Sequence, residues 1–453
     1  MTLDPARLLA AHVCTTGFDD LPAATVAATK RDILDTFGCM LGGTGAPGIA
    51  TLVKLATHRG GRKEAGVLLH ALRLPAPEAA LINATMGHAL DFDDTLDHGG
   101  SIHPGVAVLA ASLAAAELRG ATGRDLVLAV ALGLDVSCRI ALAATVDRGW
   151  HRTAAIGVFG AAAAAGKLIG LDAAQMEHAL GIALSFASGS RQCIVDGALT
   201  KRLQAGQAAR DGVFSTLLAA EGFTGTNGTF AGRFGFFELY QPNGYDLAPL
   251  TDELGEAFRG DEVSFKPYPC GRPLHALLDT AIRMRAELGI ARGEEVTTAK
   301  ITLDPAIYRE QFEGGPHRTR PTQIVEAQFA LPFLVAIALL RGRVATEDLS
   351  RLDDPEVLTL AARIVGRAAT DQRPRDWAHL SVRHCNGREV ERETDGPLGS
   401  PRRPLSDGQI EVKFRDCAAN AISTLWPATI DALFADLSAV ETLPHASTLL
   451  AVS

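Results

Sequence analysis

Between Pro5 and Ala220 the chain passes through one apolar segment after another, each covering most faces of a helix and each closed by a short joint containing Gly or Asp. Residues 106–118, 125–144, 154–169 and 173–187 are such segments, and residues 119–123 and 170–172 are such joints. A helix that is apolar nearly all round belongs in the middle of a bundle or at a subunit interface. Alanine is abundant and aromatic residues are only 6% of the chain, a balance that favours close-packed helices over a β-sandwich. The fold class read from this pattern is mainly α. With 453 residues, 47% of them apolar and 21% charged, a large core is available and two domains are expected.

The pattern changes after Gly222. Residues 224–261 are rich in Gly, Phe and Pro and read as an irregular connection. A helix is expected over 274–288, a strand over 296–303 and a second long helix over 322–341. Residues 379–385 and 388–393 flank Asn386-Gly387, which predicts a hairpin closed by a type I′ turn. Helix returns after about Pro404. The expected organisation is a large all-helical domain formed by both chain ends, residues 1–262 and 404–453, with a smaller α+β domain, residues 263–403, inserted between them.

Several function classes lose support. The net charge is −9 and there is no Lys/Arg-rich run, so nucleic acid is not an expected partner. The charge-free runs 36–53 and 98–116 are broken by Gly and Pro or too short in their apolar part, so no membrane span is expected. The seven cysteines are scattered without a CxxC pair, which fits a reducing compartment. The N-terminus does not read as a signal peptide, and a cytoplasmic location is the expectation. A P-loop, a Rossmann glycine fingerprint, HExxH and GxSxG are all missing.

Four stretches concentrate proton-handling groups. The first is Gly87-His88-Ala89-Leu90-Asp91-Phe92-Asp93-Asp94-Thr95, followed by His103-Pro104-Gly105. Three carboxylates between histidines suit acid–base work or a divalent cation, and equally an Asp-rich helix cap in solvent. The second is His151-Arg152-Thr153 before an Ala/Gly-rich helix, an anion site or an ordinary helix start with Thr153 as N-cap. The third is Leu199-Thr200-Lys201-Arg202-Leu203-Gln204-Ala205-Gly206, two cations preceding a small-residue helix or lying in a surface loop. The fourth is Phe265-Lys266-Pro267-Tyr268-Pro269-Cys270-Gly271-Arg272-Pro273-Leu274-His275, a stiff loop that displays cations for a carboxylate or simply turns the chain between domains.

Taken in order, GHALDFDDT with the later HPG, the histidine before AAIGVFGAAAAAGKLIG, TKRLQAGQAARDG, FKPYPCGRPLH and EAQFALPFLVAIALL resemble the MmgE/PrpD family, from about residue 8 to residue 437. That family includes 2-methylcitrate dehydratase, cis-aconitate decarboxylase and iminodisuccinate epimerase. The resemblance implies that the inserted α+β domain is a lid, that the protein is a homodimer, and that it works on a small polycarboxylate with no metal and no organic cofactor. It places active-site groups on Asp91, Thr95, His103, His151, Lys201, Lys266 and Tyr308. The chain departs from the decarboxylase pattern in three places. Gly271 stands where a histidine aligns, with Arg272 or His275 as possible substitutes. Arg152 follows His151 in place of a proline, and the loop 96–102 is longer. A dehydratase-like lyase is therefore favoured, with an epimerase next and a non-catalytic helical binding or assembly protein as an alternative of another class.

The chemistry these members share is breaking a C–H bond beside a carboxylate, or protonating a carbanion there, and it calls for concentrated positive charge. His103 and His151 are expected as the acid–base pair, Asp91 as the group that orients one of them, and Lys201 and Lys266 as the stabilising cations. Thr95, Arg272, His275 and Tyr308 are expected to bind substrate. A metal-dependent hydratase built on residues 91–94 is the remaining rival.

Overall fold

The computed structural model describes residues 3–97 and 102–451; residues 98–101, most of the loop expected to be long, lie outside the described residues. Packing divides the chain into two compact units. One comprises Met1–Val195, Leu199–Phe265 and Ile410–Ser453, the other Asp196–Ala198 and Lys266–Gln409. The fold is mainly α.

In the first unit the helix Arg152–Ile169 is the hub. It packs against Pro104–Arg119, Gly123–Ala143 and Thr200–Ala220, and its residues 152–166 are all buried. This follows from its sequence, in which Ala and Gly fill most positions and leave no polar face. A Cβ on Gly160 would stand 1.9 Å from Ser137 Oγ and 2.6 Å from the carbonyl of Gly133, so only glycine permits this approach to Gly123–Ala143. Left-handed glycines, Gly120 and Gly170, close the helices that precede them. Thr122 opens the next helix by accepting from the Asp125 amide, while Asp125 reaches back to the Thr122 amide.

Two helices, Gly123–Ala143 and Arg152–Ile169, are long and apolar enough to cross a bilayer by length and composition alone. The first was not among the runs weighed in the sequence. Both are mostly buried within the unit, and the first carries a charged pair in its middle: Arg139 Nε donates to Asp135 at 2.8 Å. The Arg139 guanidinium also donates to the carbonyls of Pro249, Asp252, Glu253 and Ala257, which ties down the irregular segment. The unit also contains a short hairpin, β1 (Ala65–Val67) and β2 (Leu72–Leu74), the helices Pro5–Thr15, Ala23–Gly43, Ile49–Arg59, Ala76–Gly87 and Ala173–Ala183, and the C-terminal helices Asp407–Ala419 and Pro427–Ser438.

The second unit is built on a four-stranded sheet of β3 (Val296–Leu303), β4 (Ile364–Ala368), β5 (Ala378–His384) and β6 (Glu389–Glu393), in the order β4-β3-β5-β6. The β3–β4 pair is parallel and the other two are antiparallel. The helices His275–Leu288 and Leu331–Arg341 share a core with Val296, Ala299, Ile301, Leu380 and Val382.

Two local expectations are corrected here. Residues 322–341 do not form one helix. They form Ile324–Ala327 and Leu331–Arg341, with a break between. Pro332 has no N–H to return to the carbonyl of Gln328, and that carbonyl accepts from Gly271 N at 2.9 Å instead. The hairpin forms where Asn386-Gly387 predicts it, but with a different turn. Only Gly387 is left-handed, at φ +87°, while Asn386 is not. Gly387 N donates to His384 O at 3.0 Å and His384 N to Arg388 O at 2.8 Å, which makes a three-residue loop with a bulge at the glycine.

Candidate active site

The helix Ala76–Gly87 ends at His88, and the chain then turns through residues 88–97 without regular structure. Asp91 sits in the left-handed region at φ +52°, an uncommon conformation for a residue with a Cβ. Four of the hydrogen bonds that hold the loop come from Ser264, Gly105 and Lys413. Thr95 exchanges two backbone hydrogen bonds with Ser264, at 2.9 and 2.7 Å. Gly105 N, at the start of Pro104–Arg119, donates to Asp94 Oδ2 at 2.9 Å. Lys413 Nζ donates to the Phe92 carbonyl at 2.7 Å.

Lys201 enters from the first turn of Thr200–Ala220. A Cβ on Gly206 of that helix would lie 2.1 Å from Thr85 Oγ1 and 2.4 Å from the Leu81 carbonyl. The missing side chain lets the helix lie against Ala76–Gly87, so that Lys201 Nζ reaches Asp91 Oδ1 at 2.8 Å and His88 Nε2 at 3.1 Å. All three residues are buried.

The hydrogen bonds fix where protons sit. The ammonium of Lys201 can only donate, so His88 Nε2 accepts and His88 is neutral with its proton on Nδ1. That proton goes to Asp93 Oδ2, 2.6 Å away. His103 Nδ1 lies 2.6 Å from the carbonyl of Asp94, which can only accept, so Nδ1 carries a proton and Nε2 carries the lone pair when the ring is neutral. His151 Nδ1 lies 2.8 Å from Gln204 Oε1, and the Gln204 amide nitrogen donates to Ser190 O at 3.2 Å, which sets the orientation of the amide. His151 therefore also has its proton on Nδ1. Burial holds His151 well below the usual histidine range, with His88 and Lys201 adding to the effect. It is neutral at neutral pH.

The three rings form one group. His88 lies 4.9 Å from His103 and 5.5 Å from His151, centroid to centroid. Thr153 Oγ1 accepts from His103 N at 3.1 Å, so the residue weighed as an N-cap instead joins the two histidine-bearing segments; His151 itself occupies the N-cap position. His88, Asp93 and His103 place one ligand atom each within 4.8 Å, a spacing a metal ion could use. As bonded here, Nδ1 of both rings carries a proton, and the trio is a proton network.

Behind the loop lies a buried acid cluster. Asp32 Oδ1, Thr36 Oγ1 and Asp94 Oδ1 would stand 2.6, 2.8 and 3.0 Å from a Cβ on Gly105. Burial pushes the Asp32 carboxyl up to about 8, with repulsion from Asp35 adding to it and a hydrogen bond to Asp94 opposing it. Asp94 is pushed well above the carboxylate range by burial and by Asp32 and Asp93. At neutral pH the Asp32–Asp94 pair keeps a proton between its oxygens.

Asp91, His103, His151 and Lys201 come together in the first unit, with Thr95 on the same loop. Thr95 Oγ1 is buried and has no hydrogen-bond partner among the described residues. Asp91 was expected to orient a histidine. Its carboxylate holds Lys201, and the 2.6 Å carboxylate–imidazole bond belongs to Asp93. Lys266, Arg272, His275 and Tyr308 lie in the second unit. Lys266 is fully buried. Arg272 Nη1 donates to Leu398 O at 2.8 Å. His275 Nε2 donates to Cys270 O at 3.0 Å and braces the stiff loop. Tyr308 stacks on Phe312 at 5.8 Å.

Sequence reasoning placed His88, Asp93 and Gln204 inside its candidate stretches but gave none of them a role of its own in the acid–base scheme. A signal for Gln204 was present: it lies three residues after Lys201 on a helix and so on the same face.

Models of the MmgE/PrpD N-terminal and C-terminal domains match residues 7–247 and 268–428. Among curated proteins, the chain is 28% identical to the cis-aconitate decarboxylase of Mus musculus over 448 residues, 94% of this chain and 88% of that protein. It is 28% identical to the human cis-aconitate decarboxylase, over 83% of this chain and 79% of that one. To the Aspergillus terreus cis-aconitate decarboxylase it is 25% identical, over 89% and 86% respectively.

Proposed function

Because this chain belongs to the MmgE/PrpD family, we propose that it is a lyase for a small di- or tricarboxylic acid, dehydratase-like, that moves a proton at a carbon beside a carboxylate. The observation that carries the reading is the buried group in which Lys201 bonds both Asp91 and His88 while His103 and His151 flank His88.

In this scheme His151 is the base. It is neutral, and its Nε2 lone pair takes the C–H proton. The electron pair left on carbon spreads into the adjacent carboxylate, and Lys201 stabilises the added charge. His103, protonated on Nε2, gives its proton to the departing hydroxyl. Asp93, 3.6 Å from His103 Nδ1, offsets the imidazolium charge. The C–O bond breaks, the carbon–carbon double bond forms and water leaves. Thr95 Oγ1 offers a hydrogen bond to a substrate oxygen. Every group used lies in the first unit.

A second reading is decarboxylation of a cis-aconitate-like acid. The similarity to cis-aconitate decarboxylases favours it. There the C–C bond breaks, carbon dioxide leaves and the carbanion takes the His103 proton. Against it stands position 271. A Cβ there would lie 2.9 Å from the Phe329 ring, so a histidine has no room without moving that side chain.

Proton NMR in D₂O with citrate, 2-methylcitrate, cis-aconitate, malate and iminodisuccinate separates the readings. Loss of water supports the dehydratase, loss of carbon dioxide from cis-aconitate the decarboxylase, and deuterium uptake without either an epimerase. No turnover and no exchange with any acid would overturn the proposal.

A further inference from the structure

The helix Asp407–Ala419 returns to the first unit from the far end of the chain and brings a buried lysine to the loop that carries Asp91 and Asp93. Lys413 Nζ donates to the carbonyl of Phe92 at 2.7 Å, lies 2.6 Å from Asp35 Oδ1 and sits 4.3 Å from the centre of the Phe92 ring. The Phe92 carbonyl belongs to the peptide that joins Phe92 to Asp93. Residue 91, immediately before, is the one held at φ +52°. The loop is therefore gripped at the peptide between the carboxylate that binds Lys201 and the carboxylate that binds His88.

We infer that Lys413 is a positioning residue for the proposed proton-transfer site: by holding the Phe92 carbonyl it fixes the directions of the Asp91 and Asp93 carboxylates, and through them the bonds to Lys201 and His88. The inference rests on the reading of the cluster as an active site. The physical reason is local. A carbonyl in a turn can rotate at little cost unless it is bonded, and a left-handed Asp relaxes readily when its neighbouring peptide is free to rotate. A buried ammonium with a carboxylate behind it is a strong fixed donor. Lys413 faces Asp35 and Cys39 from the helix Ala23–Gly43 and Cys417 from its own helix. Burial would lower its proton affinity, but Asp35 and Cys39 outweigh that and keep the ammonium charged. Nothing in the local sequence around Asp91 points to it, since the two partners are 321 positions apart.

The test must separate positioning from simple packing. Lys413→Met takes the ammonium away from the buried Asp35 carboxylate, a loss on the scale that unfolds a protein. The informative variant is therefore Lys413→Met with Asp35→Asn, which removes both charges together; the control is Asp35→Asn alone, in which Lys413 can shed its proton and still donate to Phe92 from a neutral amine. With a substrate that the wild type turns over, the double variant is expected to lose roughly tenfold to a hundredfold in kcat, because a misplacement of about 1 Å costs that much. KM should move less than threefold, and the control should retain most of its kcat. Independently of any substrate, the ¹⁵N-histidine spectra of the full chain should show His88 leaving its Nδ1–H tautomer in the double variant only. A folded double variant with unchanged His88 signals overturns the inference, and so does one with unchanged kcat. Wild-type protein that turns over none of the acids, with His88 displaced in the double variant, would sink the proposed activity and leave the positioning role standing.

Discussion

Lys201 and Asp91 form a buried ion pair at 2.8 Å that spans 110 positions of sequence and joins the N-terminal turn of one helix to the loop that ends another. The same ammonium bonds His88. One side chain therefore holds the Asp91 carboxylate and fixes the tautomer of the central histidine.

Replacing Lys201 with methionine should reduce kcat by about 10²-fold or more, since it removes the charge that stabilises the carbanion-like state. The same change leaves Asp91 buried without its cation and should cost roughly 3–5 kcal/mol of stability. Steady-state kinetics together with thermal melts read both. A folded Lys201→Met protein within threefold of wild-type kcat would remove Lys201 from the chemistry.

His151 is held well below the usual histidine range. The unfolded chain takes up a proton on this residue near pH 6.5, and the folded chain does so only at lower pH. Between those values the unfolded state binds more protons, so stability from this group is intact above about pH 6.5 and declines as the pH falls. The base form likewise persists in acid, and the acid limb of kcat/KM is expected below pH 6.5. Gln204→Leu removes the acceptor that fixes its Nδ1 proton. It should lower kcat about tenfold or more while leaving KM near its normal value. A pH–rate profile for both proteins checks the two statements; an acid limb at or above pH 7 in the wild type would contradict the role of base.

Asp32 behaves in the opposite sense. Its carboxyl, pushed up to about 8, keeps its proton in the folded state over a range where the unfolded chain, near 3.8, has lost it. The folded state then binds more protons than the unfolded state, and stability falls as pH rises from about 4 towards 8. Asp32→Asn carries a neutral side chain at every pH and should flatten that decline, by on the order of one to a few kcal/mol across the range. Melts at pH 5 and pH 8 compare the slopes. Equal slopes in the two proteins would show that Asp32 is already ionised at neutral pH.

The sequence made some of this legible and hid the rest for identifiable reasons. Helices apolar on most faces announce a bundle, and residues 154–169 do become its hub because nothing polar limits which face they bury. Asn386-Gly387 located the hairpin. The turn type depends on the φ of Asn386, which residue identity leaves open. Pro332 carried the signal for the break inside residues 322–341, and the expectation of one long helix left it out of account. The crowding of Asp and His at 88–103 marked the site. Which carboxylate serves which base did not follow, because the left-handed turn at Asp91 sends Asp91 to Lys201 and Asp93 to His88. Lys413 had no local pattern at all. Its role depends on a contact between distant parts of the chain.

The discontinuity of the first unit also has a temporal consequence. Residues 266–409 stand in sequence between its body and the segment 410–451 that completes it. As the chain leaves the ribosome, the loop at 88–97 is made early, while Lys413 emerges only after the whole inserted unit. Until then Asp35, Cys39 and the Phe92 peptide face a gap where the last helices belong. The packing of this unit is therefore closed by a long-range docking step, which follows synthesis of the inserted residues.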